Sequence, residues 1–206
     1  MHIAIIGAGQ IGRALGHVWY RAGHSVSYLL REESLAKHQD IDWAERTVLS
    51  AEAARRADIT VLAVPWSEVD AASQTLGSGY SGVLVDVTNP VAADLSGLDF
   101  KGSASGAAYL KEKLPRARIV KAFNQTGAEN LADADYTGGR PVSFVCSSDE
   151  AAASAVRQLS EDLGFDTVVV RGLEHSRQLE EMAWLWISLA IKQGHGRDFA
   201  YALVRR

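Results

Sequence analysis

Residues 2–12 read HIAIIGAGQIG, an apolar run followed directly by a GxGxxG motif. In a strand–loop–helix unit, Gly7 permits the tight turn after the strand, Gly9 lets the backbone approach a pyrophosphate, and Gly12 lets the helix pack closely on the strand. The N-terminus of that helix presents free N–H groups to phosphates. A purely structural glycine turn is the alternative, but the position between an apolar run and an amphipathic segment favours dinucleotide binding.

Beyond this motif, short β-branched runs alternate with alanine-rich segments of helical periodicity. The alternation indicates βαβ units, and the near-continuous apolar runs are typical of strands buried on both faces of a parallel sheet. Ser67 is expected to cap a helix N-terminus, and Gly23 and Gly164 are expected to end helices. Strands are predicted over 2–6, 25–30, 59–64, 83–87, 118–122, 142–146 and 167–170, and helices over 10–22, 51–56, 67–76, 107–113, 149–163 and 174–193.

These elements predict an α/β fold, a Rossmann-type doubly wound, mostly parallel sheet with a small helical extension. We expect a NAD(P)-binding domain over 1–172 and a C-terminal helical extension over 173–206 that packs on it. The extension carries apolar residues at helical spacing, which favours a core contact or a homodimer interface. The residues on that face are Leu179, Met182, Ala183, Trp186, Leu189 and Ala190.

The end of the second predicted strand distinguishes between the two common dinucleotides, because it faces the adenosine ribose. It reads Leu29-Leu30-Arg31, with no carboxylate to bind the 2′-hydroxyl of NAD and with an arginine able to pair with a 2′-phosphate. NADP(H) is therefore favoured over NAD(H). The alternative is that Arg31 is a solvated loop residue next to Glu32 and Glu33.

Three further strand ends should meet at the same edge of the sheet, where ligands of this fold lie. They read Ala63-Val64-Pro65-Trp66, Asp86-Val87-Thr88-Asn89-Pro90 and Lys121-Ala122-Phe123-Asn124. Trp66 could line the cofactor groove or belong to the core. Asn89 could bind the nicotinamide carboxamide or ribose, or form a turn before Pro90.

Composition narrows the possible partners. The 206 residues carry a formal net charge of −4, and basic residues do not cluster, so neither nucleic acid nor an anionic membrane is an expected partner. Cys146 is the only cysteine, which excludes an intrachain disulfide and fits a reducing compartment. No signal peptide or membrane-spanning run is apparent. We expect a soluble cytoplasmic protein with a small-molecule electron acceptor and no metal.

Taken together, seven motifs resemble the coenzyme F420-dependent NADP oxidoreductases and the related NADPH-binding domain of membrane ferric reductases. They are GAGQIG (7–12), AVPW (63–66), DVTNP (86–90), IVKAFN (119–124), VCSSDE (145–150), LEEMAWLWISLA (179–190) and GRDFAYAL (196–203). The resemblance implies NADP(H) in the glycine loop and a deazaflavin, coenzyme F420, or another flavin as second substrate. From the motifs and the resemblance together, the residues predicted to bind the cofactor are Gly7, Gly9, Gln10, Ile11, Gly12, Leu30, Arg31, Val64, Pro65, Trp66, Asn89 and Asn124.

No catalytic residue is assigned, because hydride transfer between two stacked rings needs alignment and exclusion of water more than a protein acid or base. His175 and His195 lie in the C-terminal portion that would face the acceptor, but each is more typical of a surface residue. One alternative is an NADPH-dependent reductase of a carbonyl or imine substrate. Such enzymes usually carry a catalytic lysine on a separate helical domain, and only Lys192 follows the predicted Rossmann part. Another alternative is a non-catalytic NADP(H)-binding, redox-sensing module, whose last helix, with Trp184 and Trp186, contacts a partner.

Overall fold

A computed structural model describes all residues from Met1 to Arg206. Eight strands form one sheet in the order β3-β2-β1-β4-β5-β6-β7-β8. All neighbouring pairs are parallel except β6 and β7, which are antiparallel. The chain runs outward from β1 to β3 and then crosses back to place β4 beside β1. The predicted doubly wound, mostly parallel α/β fold is confirmed, with a topological switch between β1 and β4.

The strands lie within a residue or two of their predicted positions, apart from one that was not predicted. They are β1 (His2–Ile6), β2 (Ser25–Leu30), β3 (Glu45–Val48), β4 (Ile59–Leu62), β5 (Val83–Asp86), β6 (Arg118–Lys121), β7 (Val142–Ser147) and β8 (Asp166–Arg171). The additional strand, β3, was missed because its sequence, ERTV, is polar and only partly buried.

The helices are α1 (Gln10–Arg21), α2 (Glu32–Leu35), α3 (Ala51–Arg55), α4 (Val69–Leu76), α5 (Gly106–Lys113), α6 (Ala128–Ala132), α7 (Glu150–Asp162) and α8 (Ser176–Ile187). The sequence did not predict α2 and α6, which are four and five residues long. Gly23 and Gly164 have φ of 90° directly after the last turns of α1 and α7, as expected of glycines that end helices. The expectation for Ser67 was wrong, because Ser67 lies inside a 3₁₀ turn, Trp66–Glu68, that precedes α4.

Alternating side chains of the central strands divide into two cores, one on each face of the sheet. Ile3 and Ile5 of β1 join Leu15 and Trp19 of α1 in the first core, which also includes α7. On the opposite face, Ala4 and Ile6 of β1 pack with α4 and α5. Helices therefore cover both faces of β1 and β4.

The C-terminal extension folds back onto the sheet domain. The predicted helix over 174–193 is divided into a 3₁₀ turn (Leu173–His175), α8 and a π-helical turn (Ser188–Lys192). The remaining segment crosses β7, where the Val142 N–H donates to the Tyr201 carbonyl at 2.8 Å. Trp186 stacks on Phe199 at 5.3 Å, and its indole N–H donates to the Phe199 carbonyl at 2.9 Å.

Candidate functional site

The glycine loop lies at the switch point, and its backbone leaves no space for side chains at two positions. Gly7 has φ of 100°, and a Cβ there would lie 2.5 Å from the carbonyl oxygen of Ala63, the residue after β4. A Cβ on Gly12 would lie 2.3 Å from the Gly7 carbonyl oxygen. Glycine at these positions therefore allows the loop to turn between β1 and β4 and allows α1 to pack against the loop.

Gly9 differs from its two neighbours in the motif. Its φ of −73° is accessible to any residue, and a Cβ there would meet no protein atom within 4 Å. Gly9 is the N-cap of α1 and provides no side chain to cap its N–H groups. The loop thus presents an open backbone cradle at the N-terminus of a 12-residue helix, as close approach of a pyrophosphate requires.

Two adjoining cavities extend from this cradle along the carboxyl edge of the sheet. The first, about 250 Å³, lies towards β2 and α2, and the second, about 340 Å³, lies towards β5. They share a wall made of Gly9, Ala63, Val64 and Pro65. Leu30 and Arg31 line the first cavity, and Gln10, Ile11, Trp66 and Asn89 line the second. Together they form one groove, and we name its two halves the β2 end and the β5 end.

The β2 end contains residues that the sequence alone did not indicate. Ser34, His38 and Glu68 line it together with Arg31. The side chain of Arg31 is 60% exposed and lies 3.4 Å from the Glu33 carboxylate and 3.3 Å from the Glu68 carboxylate. The positions 31, 34 and 38 follow helical spacing, so Ser34 and His38 could have been found from the sequence if α2 had been recognised.

At the β5 end, Trp66 is both core and cavity wall, which resolves the two interpretations of this residue. It is only 8% exposed and packs edge-on against Tyr109 at 5.6 Å. The Lys101 ammonium lies 5.1 Å from the centre of the indole ring. The indole N–H of Trp66 is buried and has no acceptor among the protein atoms. Trp66 is therefore held rigidly beneath the cavity rather than standing over it.

The two asparagines of the predicted site form a pair, but only one reaches the groove. The Asn124 amide donates to the Asn89 side-chain oxygen at 2.9 Å and to the Leu179 carbonyl at 3.1 Å. The Asn89 amide donates in return to the Asn124 carbonyl at 2.8 Å. Asn124 is 3% exposed and does not line either cavity. The side-chain amide of Asn124 is thus already hydrogen-bonded inside the protein, and its contact with the cofactor stays a prediction.

The residue before Asn124 has an unusual backbone conformation. Phe123 has φ of 60°, in the left-handed region that a bulky residue rarely adopts. Its ring is buried and packs edge-on against Trp19 at 5.6 Å. Strain of this kind persists only where packing fixes it, and here it turns the chain after β6 so that Asn124 faces Asn89.

A buried charge network lies directly behind the β5 end. Lys121 is fully buried and contacts Asp86 at 2.9 Å, Glu180 at 3.0 Å and the Thr88 carbonyl at 2.5 Å. Burial lowers the pKa of Lys121, but the two carboxylates outweigh it and raise the pKa above its usual value. Glu180 also accepts from the first N–H groups of α5, at Gly106 and Ala107. The network thereby fixes the ends of β5 and β6, the start of α5 and the middle of α8.

The network was not predicted, although each member is visible in the sequence as a charge within an apolar pattern. Lys121 and Asp86 interrupt the apolar runs of β6 and β5, and Glu180 lies on the buried side of α8. A buried charge must be paired, so these three residues could have been matched with one another. His175 and His195, by contrast, are exposed and do not line the groove.

The comparisons with known proteins agree with this geometry. Residues 2–90 match the sequence model of the family described as "NADP oxidoreductase coenzyme F420-dependent". This part of the chain is therefore similar to that family. Metalloreductase STEAP3 of Rattus norvegicus is 26% identical over 179 residues, which are 86% of this chain. The chain spans 35% of the length of that protein.

Solved structures show the same fold. A proposed F420-dependent NADP reductase from Arthrobacter sp. FB24 superposes with a TM-score of 0.86 at 24% identity, covering 98% of this chain and 99% of the other. A reductive aminase from Aspergillus terreus, solved in complex with NADPH, gives a TM-score of 0.68 at 15% identity, covering 94% of this chain and 62% of the enzyme. The matching family model and the Arthrobacter protein are thus both described as NADP-dependent, and the reductive aminase was solved with NADPH. None of its helices combines the length and apolarity needed to cross a bilayer.

Proposed function

We propose that this protein binds NADP(H) along the groove and transfers hydride between NADPH and a deazaflavin, coenzyme F420, or a flavin-like acceptor. The observation that carries the proposal is the glycine loop at the β1/β4 switch, open at Gly9 and continuous with both ends of the groove. A Cβ at Gly9 would occupy the space that a pyrophosphate needs, so the residues present fit the cofactor.

Each part of the groove suits a different part of the dinucleotide. Backbone N–H groups at Gln10 and Ile11 begin α1 and would bind the pyrophosphate. The β2 end has an apolar wall, including Leu30 and Leu49, for the adenosine and presents Arg31 for a 2′-phosphate. The β5 end, with Trp66 and Asn89, would hold the nicotinamide. When bound, the nicotinamide ring supplies or accepts the hydride.

The lining of the β5 end supports hydride transfer without proton transfer by the protein. Its side chains are apolar, hydroxyl or amide groups, among them Val87, Thr88 and Asn89, and none of the lining residues is ionisable. Such a wall aligns a ring and excludes water but provides no acid or base. This arrangement fits transfer between two stacked rings, where positioning provides most of the rate enhancement.

The acceptor assignment rests on the family and on the Arthrobacter protein, which carries the same activity in its description. A carbonyl or imine reductase is less favoured. Lys192, the candidate lysine for that chemistry, donates to the Leu95 carbonyl and lies 4.6 Å from the centre of the Trp184 ring. It does not line the groove.

We further propose that the protein acts in the cytoplasm as a homodimer associating through α8 and the turn that follows. Leu185 and Ile191 on this segment are 50% and 52% exposed and would be covered in such a dimer. A mass of one chain by light scattering, at concentrations where the protein is active, would contradict the dimer.

The experiment that tests the proposed function follows NADPH oxidation by absorbance with coenzyme F420, FMN or FAD as acceptor and NADH as the control donor. Turnover with F420 and NADPH is the expected result. NADPH binding without turnover on any acceptor would instead favour the redox-sensing module, and turnover with an imine or carbonyl compound alone would favour the second class of reductase.

Gly9→Val provides the matched test of the site. Because the Cβ of Gly9 meets no protein atom, the variant should fold normally and lose NADPH binding. Gly79→Val is the control, since Gly79 also has an open Cβ position and an ordinary φ but lies outside the groove. Equal NADPH affinity in the Gly9 variant, the control variant and the wild-type protein would refute the assignment of the cradle.

A further inference from the structure

The β2 end has an electrostatic composition that is unexpected for a phosphate site. Among its lining residues, the only formal charges at neutral pH with histidine neutral are Arg31 and Glu68. Arg31 contacts Glu68 and also Glu33, so the single cation is accompanied by two carboxylates. A 2′-phosphate carries close to two negative charges, and it would meet a wall whose two formal charges cancel instead of a positively charged wall.

The two carboxylates differ in whether they line the cavity. Glu33 belongs to α2, is 66% exposed and does not line the cavity. Glu68 ends the 3₁₀ turn that begins at Trp66, and its backbone N–H donates to the Pro65 carbonyl at 2.9 Å. It lines the cavity itself and is 40% exposed. Only Glu68 therefore combines contact with Arg31 and contact with the space where the adenosine ribose would lie.

Glu68 reaches the ribose region from a different part of the chain than the carboxylate of NAD-binding Rossmann folds does. In NAD-binding Rossmann folds a carboxylate that follows the second strand accepts the ribose 2′-hydroxyl. Here the residue after β2 is Arg31, and the carboxylate reaches the same region from the segment that follows β4. The side chains of Arg31 and Glu68 are 3.3 Å apart. One site therefore contains a carboxylate that can accept a hydrogen bond from a ribose hydroxyl and a guanidinium that can donate hydrogen bonds to a phosphate.

We propose that Glu68 determines the cofactor specificity of the β2 end, an inference that rests on the proposed function. Its carboxylate competes with a 2′-phosphate for the Arg31 guanidinium and repels that phosphate directly. The same carboxylate accepts a hydrogen bond from the 2′-hydroxyl of NAD(H). Glu68 thus lowers the preference for NADPH that Arg31 alone would confer and gives the groove measurable affinity for NADH.

The test is the effect of Glu68→Gln on the dissociation constants of NADPH and NADH, measured by titration calorimetry at a fixed ionic strength. The amide keeps the size of the side chain and removes its charge. We expect NADPH to bind about threefold to tenfold more tightly, since one like charge is removed from a partly exposed site. NADH should bind equally or more weakly, so that the ratio of the two constants shifts towards NADPH.

Glu33→Gln is the matched control, because it removes the same charge from the same arginine outside the cavity. The expected change in NADPH affinity is smaller than for Glu68→Gln, and NADH affinity should not change. Equal gains in the two variants, or an unchanged ratio in Glu68→Gln, would overturn the role of Glu68 while leaving NADPH binding by the wild-type protein intact. A wild-type protein that binds neither dinucleotide would overturn the proposed function and this inference together.

Discussion

The two ends of the groove are built from different interactions, although both lie on the carboxyl edge of one sheet. At the β2 end, Arg31 and its carboxylate partners are 40–66% exposed, so water screens each contact. At the β5 end, Lys121, Asp86 and Glu180 are fully buried and bonded to one another and to backbone. The first arrangement can rearrange around a ligand at small cost, whereas the second fixes one geometry. The comparison suggests that selection of the dinucleotide belongs to the β2 end and alignment for transfer to the β5 end.

The largest effect should come from removing the cation of the buried network. Lys121→Met leaves two buried carboxylates without a cation to balance their charge, and the free energy of unfolding should fall by about 3–5 kcal/mol. Urea denaturation measures the loss. Lys101→Met is the control, because Lys101 pairs with Asp70 at 2.7 Å but is 25% exposed, and its removal should cost about 1 kcal/mol or less. Similar losses in the two variants would remove the contrast between buried and exposed ion pairs on which the comparison of the two ends rests.

Substitutions of the paired residues Asn89 and Asn124, also at the β5 end, should have a smaller effect on stability. Asn124→Ala leaves the buried Leu179 carbonyl without its donor and should lower the free energy of unfolding by about 1–3 kcal/mol. Asn89→Ala breaks both hydrogen bonds with Asn124 and also changes a cavity wall, so it should lower stability and, unlike Asn124→Ala, weaken NADPH binding directly. Thermal unfolding and NADPH titration of both variants separate the two roles. If Asn124→Ala weakened NADPH more than Asn89→Ala did, the buried residue would have to contact the cofactor after all.

A substitution at the β2 end should change the affinity for NADPH and leave the free energy of unfolding nearly unchanged. Arg31→Ala removes the only cation that lines this cavity, and NADPH should bind about tenfold more weakly, the value of one charge-assisted hydrogen bond. NADH lacks the 2′-phosphate and should be nearly unaffected. The free energy of unfolding should stay within about 0.5 kcal/mol of the wild-type value, as for other exposed positions. Equal losses for the two dinucleotides would mean that Arg31 does not bind a 2′-phosphate.

The same contrast explains how much could be predicted from the sequence. The glycine loop, seven of the eight strands and the long helices were recognisable because local patterns specify them: glycines at fixed spacing, apolar runs and helical periodicity. β3 has no such pattern, since an edge strand with one partner can be polar. The helix α2 is shorter than the span over which periodicity can be detected, and Ser34 and His38 were missed with it.

The site residues whose role depends on tertiary contacts could not be predicted from the sequence for a different reason. Glu68 matters because it meets Arg31 from another strand, and Asn124 turned away from the groove because Asn89 and the Leu179 carbonyl satisfy its amide. Neither partner is near in the sequence. The loop glycines and the strand ends fix where a dinucleotide can lie, whereas pairings between distant segments decide which side chains remain free to contact it.

Cys146 offers the mildest test, because it reports on the β5 end without a mutation. It lies opposite Lys121 in the antiparallel pairing, is fully buried, and its thiol donates to the Gly172 carbonyl at 3.1 Å. Burial, with smaller repulsion from Glu174, raises the pKa of the thiol to about 11, so at pH 8 only about one thiol in a thousand is ionised.

Reaction of Cys146 with a disulfide reagent should therefore be slow in the native protein and should accelerate as pH rises towards 11 or as urea unfolds the chain. Adding NADPH should change the rate little, while Lys121→Met should increase it by loosening the neighbouring strand. A fast reaction at pH 8 in the wild-type protein would show that the β5 end opens readily, and the distinction between a fixed and an adjustable end would then fail.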